Sequence, residues 1–233
     1  GAFLSIYLLN LKLDIKDSFP IIFIIGIMIT ILVFYLGLPK EEDYFGKSEK
    51  FSIPDKKVII FGLILFFEFA TVGIIMEWSP LWITTDLNVP LFLGAIVLIS
   101  FHAGEIPSRM FGSYLIKHFG ELKMGFHLVI FGCFCLFISI FTMNYILISI
   151  SAFVFGFSTG NTNPIVIRQA IRATNENIPT TIANLMTLAF SGLMIGPGIV
   201  GITAKYLGMT FNMFMLPVIW GVCAVIFLIN YKK

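Results

Sequence analysis

Residues 77–120, EWSPLWITTDLNVPLFLGAIVLISFHAGEIPSRMFGSYLIKHFG, contain the pattern that decides the fold. Within this stretch, residues 91–116 form a run apolar enough to cross a bilayer, which takes about 20 such residues. Two ionisable residues, Glu105 and Arg109, lie four positions apart inside that run. Because charged side chains in hydrocarbon are costly, they usually face a partner or a water-filled path. The stretch therefore predicts a transmembrane helix with one polar face, followed at residues 112–120 by a short basic turn.

The composition places the whole chain in a membrane. Of its 233 residues, 58% are hydrophobic and 12% are charged, whereas soluble domains have about 45–50% apolar and about 25% charged residues. The mean hydropathy is +0.97. A net charge of +2 provides no basic field for nucleic acid. The three cysteines all lie in apolar runs with no metal-site spacing, so we expect them to be small apolar packing residues.

Seven apolar runs are long enough to span a bilayer as helices, and residues 1–10 look like the end of an eighth. The runs are residues 19–38, 58–83, 91–116, 124–142, 145–167, 180–204 and 211–230. The strict alternation of ten-residue barrel strands is absent from them. We therefore predict an all-α membrane protein. Since the chain begins with Gly1 inside an apolar stretch, we interpret it as the later part of a longer protein.

The basic residues predict the orientation. Residues 39–57 form the one long polar loop. With this loop in the cytoplasm, that side carries eleven Lys and Arg residues and the opposite side carries three. Cytoplasmic loops of membrane proteins are enriched in Lys and Arg. The bias therefore places both the long loop and the C-terminus in the cytoplasm.

Three ionisable residues are expected at one depth. With a rise of about 1.5 Å per residue, Glu68, His102 and Glu105 lie near the bilayer midplane, where transporter substrate sites are found. Glu105 and Arg109 have the favourable i, i+4 order, and they form either a pair that breaks during gating and protonation or a static pair. Glu68 is a buried neutral acid, a partner of another helix or a cavity residue. His102 and Glu105 have half the spacing of a metal site, and we expect no metal.

The sequence allows two roles for each of several other polar and aromatic residues. Glu77, Trp78 and Trp82 lie near the outer interface, where the tryptophans form either an interfacial belt or an aromatic wall for a ligand. Asn161 and Asn163 either line a cavity or hydrogen-bond helix to helix.

Glycine and proline add two backbone features. Pro164 follows the two asparagines and favours a kink. Gly192 and Gly196 have the GxxxG spacing of closely packed helices, and Pro197 after them predicts a flexible point suited to a rocking motion. No phosphate-binding loop, GxSxG or HExxH motif is present in the sequence. We therefore predict no ATP-driven step, no enzyme chemistry and no cofactor.

In order and spacing, these features resemble the major facilitator superfamily (MFS). The long loop precedes six spans, residues 109–120 resemble the Gly-x-x-x-Asp-Arg-x-Gly turn of the family, and residues 156–164 and 192–201 resemble its glycine-rich tenth and eleventh helices. Glu77-Trp78 is similar to a pattern in fucose-permease-like members.

The turn departs from the family pattern. Lys117 and His118 stand where the family has Asp-Arg, and the first glycine of the pattern falls on Ser113, one residue after Gly112. The last glycine, Gly120, is in place. The departure puts a gating latch through that Asp in doubt.

The resemblance implies an organisation and a function. Residues 1–38 would be the end of the N-terminal half (the remnant of helix 5, and helix 6), residues 39–57 the loop between halves, and residues 58–233 the C-terminal six-helix half. The whole would be a secondary active transporter, a symporter or antiporter of a small organic solute, working by alternating access and coupled to protons through Glu68 or Glu105. The alternative is a transporter-like receptor that binds a ligand without moving it. The partners implied are the solute, protons, the lipid of a plasma or inner membrane, and the N-terminal half of the same protein.

Overall fold

A computed structural model describes residues 15–36 and 54–231, and the regular elements in these ranges are all α-helices. The predicted all-α membrane protein is thereby confirmed. The predicted remnant at residues 1–10 and residues 39–53 of the predicted loop at 39–57 lie outside the described residues, and Lys56 and Lys57 belong to α2. The helices are α1 Ile15–Leu36, α2 Lys56–Asp86, α3 Leu91–Phe119, α4 Glu121–Thr142, α5 Tyr145–Thr159, α6 Thr162–Ala173, α7 Ile178–Leu207 and α8 Met209–Tyr231.

The chain divides into two compact units, residues 1–53 and 54–233. In the first unit the described element is α1, a helix of 22 residues. The second unit contains α2 to α8.

Five helical stretches of the described chain are long and apolar enough to cross a membrane. They are Lys56–Asp86, Glu121–Thr142, Tyr145–Ala173, Ile178–Leu207 and Met209–Ile229. The helix α3 is not among these five, although its 29 residues give it the length of a span. It carries Glu105 and Arg109, and its packing between α2 and α5 fixes its place in the bundle.

Turn chemistry sets the helix ends. Gly120, between α3 and α4, and Gly208, between α7 and α8, have φ values of 78° and 80°, which glycine adopts without steric cost. At the start of α5, the side chain of Asn144 accepts hydrogen bonds from the N–H groups of Ile146 and Leu147. Short connections of this kind make consecutive helices antiparallel neighbours.

The predicted span at residues 145–167 lies within the stretch Tyr145–Ala173, in which the structure separates α5 from α6. Pro164 has no N–H group, so it cannot donate to the carbonyl of Gly160 four residues earlier. The break falls there, at Gly160 and Asn161. The hydroxyl of Thr162 donates to the carbonyl of Ser158 and ties the two helices across the break.

Three helix pairs make the most extensive contacts in the second unit: α2 with α7, α3 with α5, and α4 with α8. The centre is filled by large buried side chains. Phe155 of α5 lies 5.9 Å from the ring of Phe101 on α3 and 5.6 Å from the ring of Trp220 on α8. All three side chains are fully buried, so they join α3, α5 and α8 in one core.

Glycines let two of these pairs touch backbone to backbone. A Cβ on Gly104 would collide with the backbone of Phe153, and one on Gly156 with the backbone of Phe101, so α3 and α5 cross at contact distance. In the same way, Gly192 of α7 leaves no room for a side chain against the backbone of α2. Small residues at such crossings allow the close approach on which helix association in lipid depends.

The crossing of α3 and α5 gives a stability prediction. We expect Gly156→Ala to destabilise the protein by about 1–3 kcal/mol, since overpacking of a tight contact costs this much. The matched control is Gly221→Ala on α8, where an added Cβ meets no atom within 4 Å. The control should melt at the wild-type temperature or higher, because alanine is the better helix former. Thermal unfolding of the purified variants checks this, and equal melting of the two would contradict the packing account.

Candidate functional site

A cavity of about 440 Å³ opens between four parts of the second unit. It is lined by α2, α3, the break between α5 and α6, and α7. The lining residues are Glu68, Phe69, Val72 and Met76 from α2, Glu105 and Arg109 from α3, Thr159, Gly160, Asn163 and Pro164 at the break, and Leu193 from α7. The structure thus brings together Glu68, Glu105, Arg109 and Asn163, four of the residues singled out from the sequence.

Glu68 is the most unusual residue of this cavity. Its side chain is 4% exposed, and among the described residues it is the one Asp, Glu, Lys, Arg or His that is buried. Within the described part of the chain, its Oε2 atom has no hydrogen-bond partner. Most buried polar atoms in proteins have a partner, so this buried oxygen is an exception, on a residue that lines the cavity.

Glu105 lies between two partners on its own helix. Its Oε2 is 3.0 Å from Nδ1 of His102, and its Oε1 accepts a hydrogen bond of 3.4 Å from Nη2 of Arg109. The predicted pair with Arg109 is therefore formed. It is a loose pair, because the Arg109 side chain is 68% exposed and contributes one long contact. No third metal-ligating residue joins His102 and Glu105 in the described part of the chain.

Asn161 and Asn163 have different roles: one hydrogen-bonds helix to helix and the other lines the cavity, the two alternatives that the sequence left open. Asn161 is buried, and its amide donates to the backbone carbonyl and to the hydroxyl of Ser108 on α3, the latter at 2.9 Å. A Cβ on Gly112 would collide with this amide. Asn163 instead lines the cavity. The first asparagine therefore joins two helices, and the second faces the open space.

The two tryptophans of α2 lie outside this cavity lining. The indole of Trp78 donates to the backbone carbonyl of Pro197 at 3.0 Å, and the buried Trp82 donates to the hydroxyl of Thr210 at 2.9 Å. Trp78 thus connects α2 to α7, and Trp82 connects α2 to α8. Glu77 is exposed next to them.

Comparison with known proteins gives the family. The sequence profile of the Major Facilitator Superfamily matches residues 1–197. The chain belongs to this superfamily. The resemblance drawn from the sequence is thereby confirmed, and the chain is a multi-pass membrane protein of a transporter family.

A similar protein points the same way. It is an uncharacterized MFS-type transporter of Yersinia pestis, 23% identical over 159 residues, which are 66% of this chain and 40% of the relative. The chain therefore covers about two fifths of that relative's length.

This MFS member has a cross-helix network at the end of α2 that the sequence did not suggest. The carboxylate of Asp86 accepts hydrogen bonds from the N–H group of Thr210 at 3.0 Å and from its hydroxyl at 2.5 Å. The same hydroxyl accepts the indole N–H of Trp82. Asp86, at the end of α2, therefore caps the start of α8. In the sequence, the one hint of this role is that Asp86 lies just before the turn at residues 87–90.

A second unpredicted cluster lies at the start of α4, next to the turn that departs from the MFS pattern. Glu121 forms ion pairs with Arg168 at 3.3 Å and Arg172 at 3.0 Å, and it accepts a hydrogen bond from Gln169. In the family pattern the turn has an acid where this chain has Lys117. Here Glu121, one residue after Gly120, is the carboxylate that fixes the end of α6 to α4.

The different placement of the two asparagines is testable. We expect Asn161→Ala to lower the free energy of unfolding by about 1–3 kcal/mol, because it removes a buried hydrogen-bonding group and leaves Ser108 without its partner. Asn163→Ala should leave the melting temperature near that of the wild type, since Asn163 faces the cavity. Thermal unfolding of both variants in detergent measures this, and a larger loss for Asn163→Ala would contradict the assignment.

Proposed function

We propose that this chain is part of a secondary active transporter that moves a small organic solute by alternating access, coupled to protons. Its residues 1–38 would close the N-terminal half, residues 39–57 would link the halves in the cytoplasm, and residues 58–233 would form the C-terminal half. The observation that carries the proposal is the buried, unpartnered Glu68 in the wall of the cavity. The cavity volume of about 440 Å³ lies in the range of small-molecule sites, roughly 300–1,000 Å³.

Glu68 supports proton coupling because of where it lies. Burying an ionised carboxylate without a partner in apolar surroundings costs roughly several kcal/mol or more of free energy. Ionisable residues inside membranes typically mark substrate or proton paths. Binding a proton removes that cost. Glu68 therefore holds a proton when the cavity is closed and releases it when a positive charge or water reaches it.

Glu105 is the second residue proposed to act in coupling. Its contact with Arg109 is long, and the arginine has room to leave it. When the arginine moves away, Glu105 takes a proton or turns to His102, which already lies 3.0 Å from it. The pair then serves as a gate whose state follows the charge of the cavity.

Two positions with a proline support a rocking motion of the helices. One is the break at Gly160 and Asn161, next to the cavity, and the other is Pro197 within α7. At each position a proline lacks the N–H group for the helical hydrogen bond, which favours bending there. We place the long loop and the C-terminus in the cytoplasm and the protein in the cell membrane, in line with the distribution of Lys and Arg.

Flux measurements on the full-length protein in proteoliposomes test this function. A solute is first found by thermal-shift screening, and its uptake is then followed with and without an imposed proton gradient. We expect Glu68→Gln to abolish the response of the flux to the gradient and Glu105→Gln to weaken it, because glutamine cannot bind and release a proton. The matched control is Glu176→Gln, an acid outside the cavity lining that accepts a hydrogen bond from the N–H group of Asp55.

Two results would contradict the proposal. If both cavity variants retain a wild-type response to the gradient, neither acid carries the coupling proton. If solutes bind specifically and no flux follows under any gradient, the protein is a ligand-binding receptor of the same fold.

A further inference from the structure

The charges around the cavity point to the class of solute, given the proposed function. Three side chains of its lining are charged when ionised: Glu68, Glu105 and Arg109. Glu105 and Arg109 lie 3.4 Å apart and neutralise each other. The charge that remains is the carboxylate of Glu68, whose Oε2 has no hydrogen-bond partner among the described residues.

We infer that the cavity binds a solute with a positively charged nitrogen on a compact apolar body, and that this cation and a proton occupy Glu68 in turn. The inference names the solute class of the proposed transporter and therefore rests on that function. It also sets the direction of coupling, because a shared carboxylate makes the protein an exchanger of cations for protons.

The surroundings of Glu68 support an exchange at this one group. From α3, Glu105 and Arg109 lie close enough to act on it electrostatically. From α8, the thiol of Cys223 faces the same region and donates to the backbone carbonyl of Ile64. The described cavity residues of α6 and α7, Asn163 and Leu193 among them, carry no charge. A cation that enters the cavity therefore meets its uncompensated counter-charge at Glu68.

The other residues that line the cavity suit a cation with an apolar body. Phe69, Val72, Met76 and Leu193 line the cavity. Phe69 is held by an edge-to-face contact with Phe190, with the ring centroids 5.7 Å apart. Aromatic faces attract cations, and the aliphatic side chains suit a hydrocarbon body.

Other solute classes fit the wall less well. Each buried hydroxyl of a sugar needs a hydrogen-bond partner, and the uncharged polar side chains of the lining are Thr159 and Asn163. The hydroxyl of Thr159 already donates to the carbonyl of Gly156. An anion would have to displace Glu105 from Arg109 and would lie near Glu68.

The exchange is balanced in charge and atoms. The protonated carboxyl of Glu68 loses its proton to water as the cation arrives, and the carboxylate then pairs with the cation. No covalent bond other than the O–H bond changes. Each cation bound therefore releases one proton, and lower pH weakens cation binding.

Binding to the full-length protein in nanodiscs tests the inference. The probes are benzyltrimethylammonium and phenethylammonium, with neopentylbenzene as the neutral isostere of the first and phenylacetate as the anion. We expect the cations to bind, with release of about one proton each into a weakly buffered solution containing a pH dye. Their affinity should rise by up to about tenfold per pH unit where Glu68 titrates.

Variants assign the effect to Glu68. Glu68→Gln should weaken cation binding by roughly thirtyfold or more, as expected when one partner of a buried charge pair is removed, and should abolish proton release. Glu176→Gln should leave both unchanged. If Glu68→Gln does not fold, Glu68→Asp keeps the charge and should keep the proton release, and the pH dependence of the wild type needs no variant.

Three outcomes would overturn the inference: no cation of the set binds, neopentylbenzene binds as tightly as its charged isostere, or cations bind to the wild type without proton release. Proton-coupled flux of a neutral solute, with no cation binding, would overturn the inference and leave the proposed function standing. Cation binding with proton release and no flux would support the inference and overturn transport.

Discussion

The structure depends on helices that touch backbone to backbone. Inside a bilayer the hydrophobic effect does not hold helices together, so close packing must do so. The glycines at the crossings of α3 with α5 and of α2 with α7 leave no room for a side chain. This close approach fixes α2 and α3 relative to α5 and α7, and it buries Glu68 in the wall of the cavity between them. A looser crossing would let lipid or water reach that carboxylate, and the proposed exchange depends on its burial.

Much of the fold follows from the sequence, because hydrophobic length and the rise per residue fix where a helix crosses the membrane and how deep each residue lies. Depth alone placed Glu68 and Glu105 together, and they share the cavity. Rotation about the helix axis does not follow from depth, since it depends on the neighbouring helices. Asn161 and Asn163 are therefore alike in sequence and different in the structure. The partners of Trp78 and of Glu121 are likewise set by contacts between helices distant in the chain.

The helix termini and the middle of the bundle have different roles: the termini hold the helices together, and the middle contains the cavity. Asp86 with Thr210, and Glu121 with Arg168 and Arg172, fasten helices to one another at their termini. The cavity between them has a loose ion pair, a buried carboxyl group with an unpartnered oxygen, and a break between two helices. Fixed ends and an adaptable centre suit a half-transporter that moves as one body while its site changes charge. In the turn after α3, which departs from the MFS pattern, the acid Glu121 lies one residue beyond the last glycine and pairs with α6.

The central claim is that Glu68 holds a proton when the cavity is empty and loses it when a cation binds. Infrared difference spectroscopy of the full-length protein observes this group directly, through the carbonyl stretch of a protonated carboxyl group. The account predicts a protonated-carboxyl band that disappears when benzyltrimethylammonium is added and that is missing from Glu68→Gln. A band that persists on cation binding, or that is unchanged in Glu68→Gln, would contradict it.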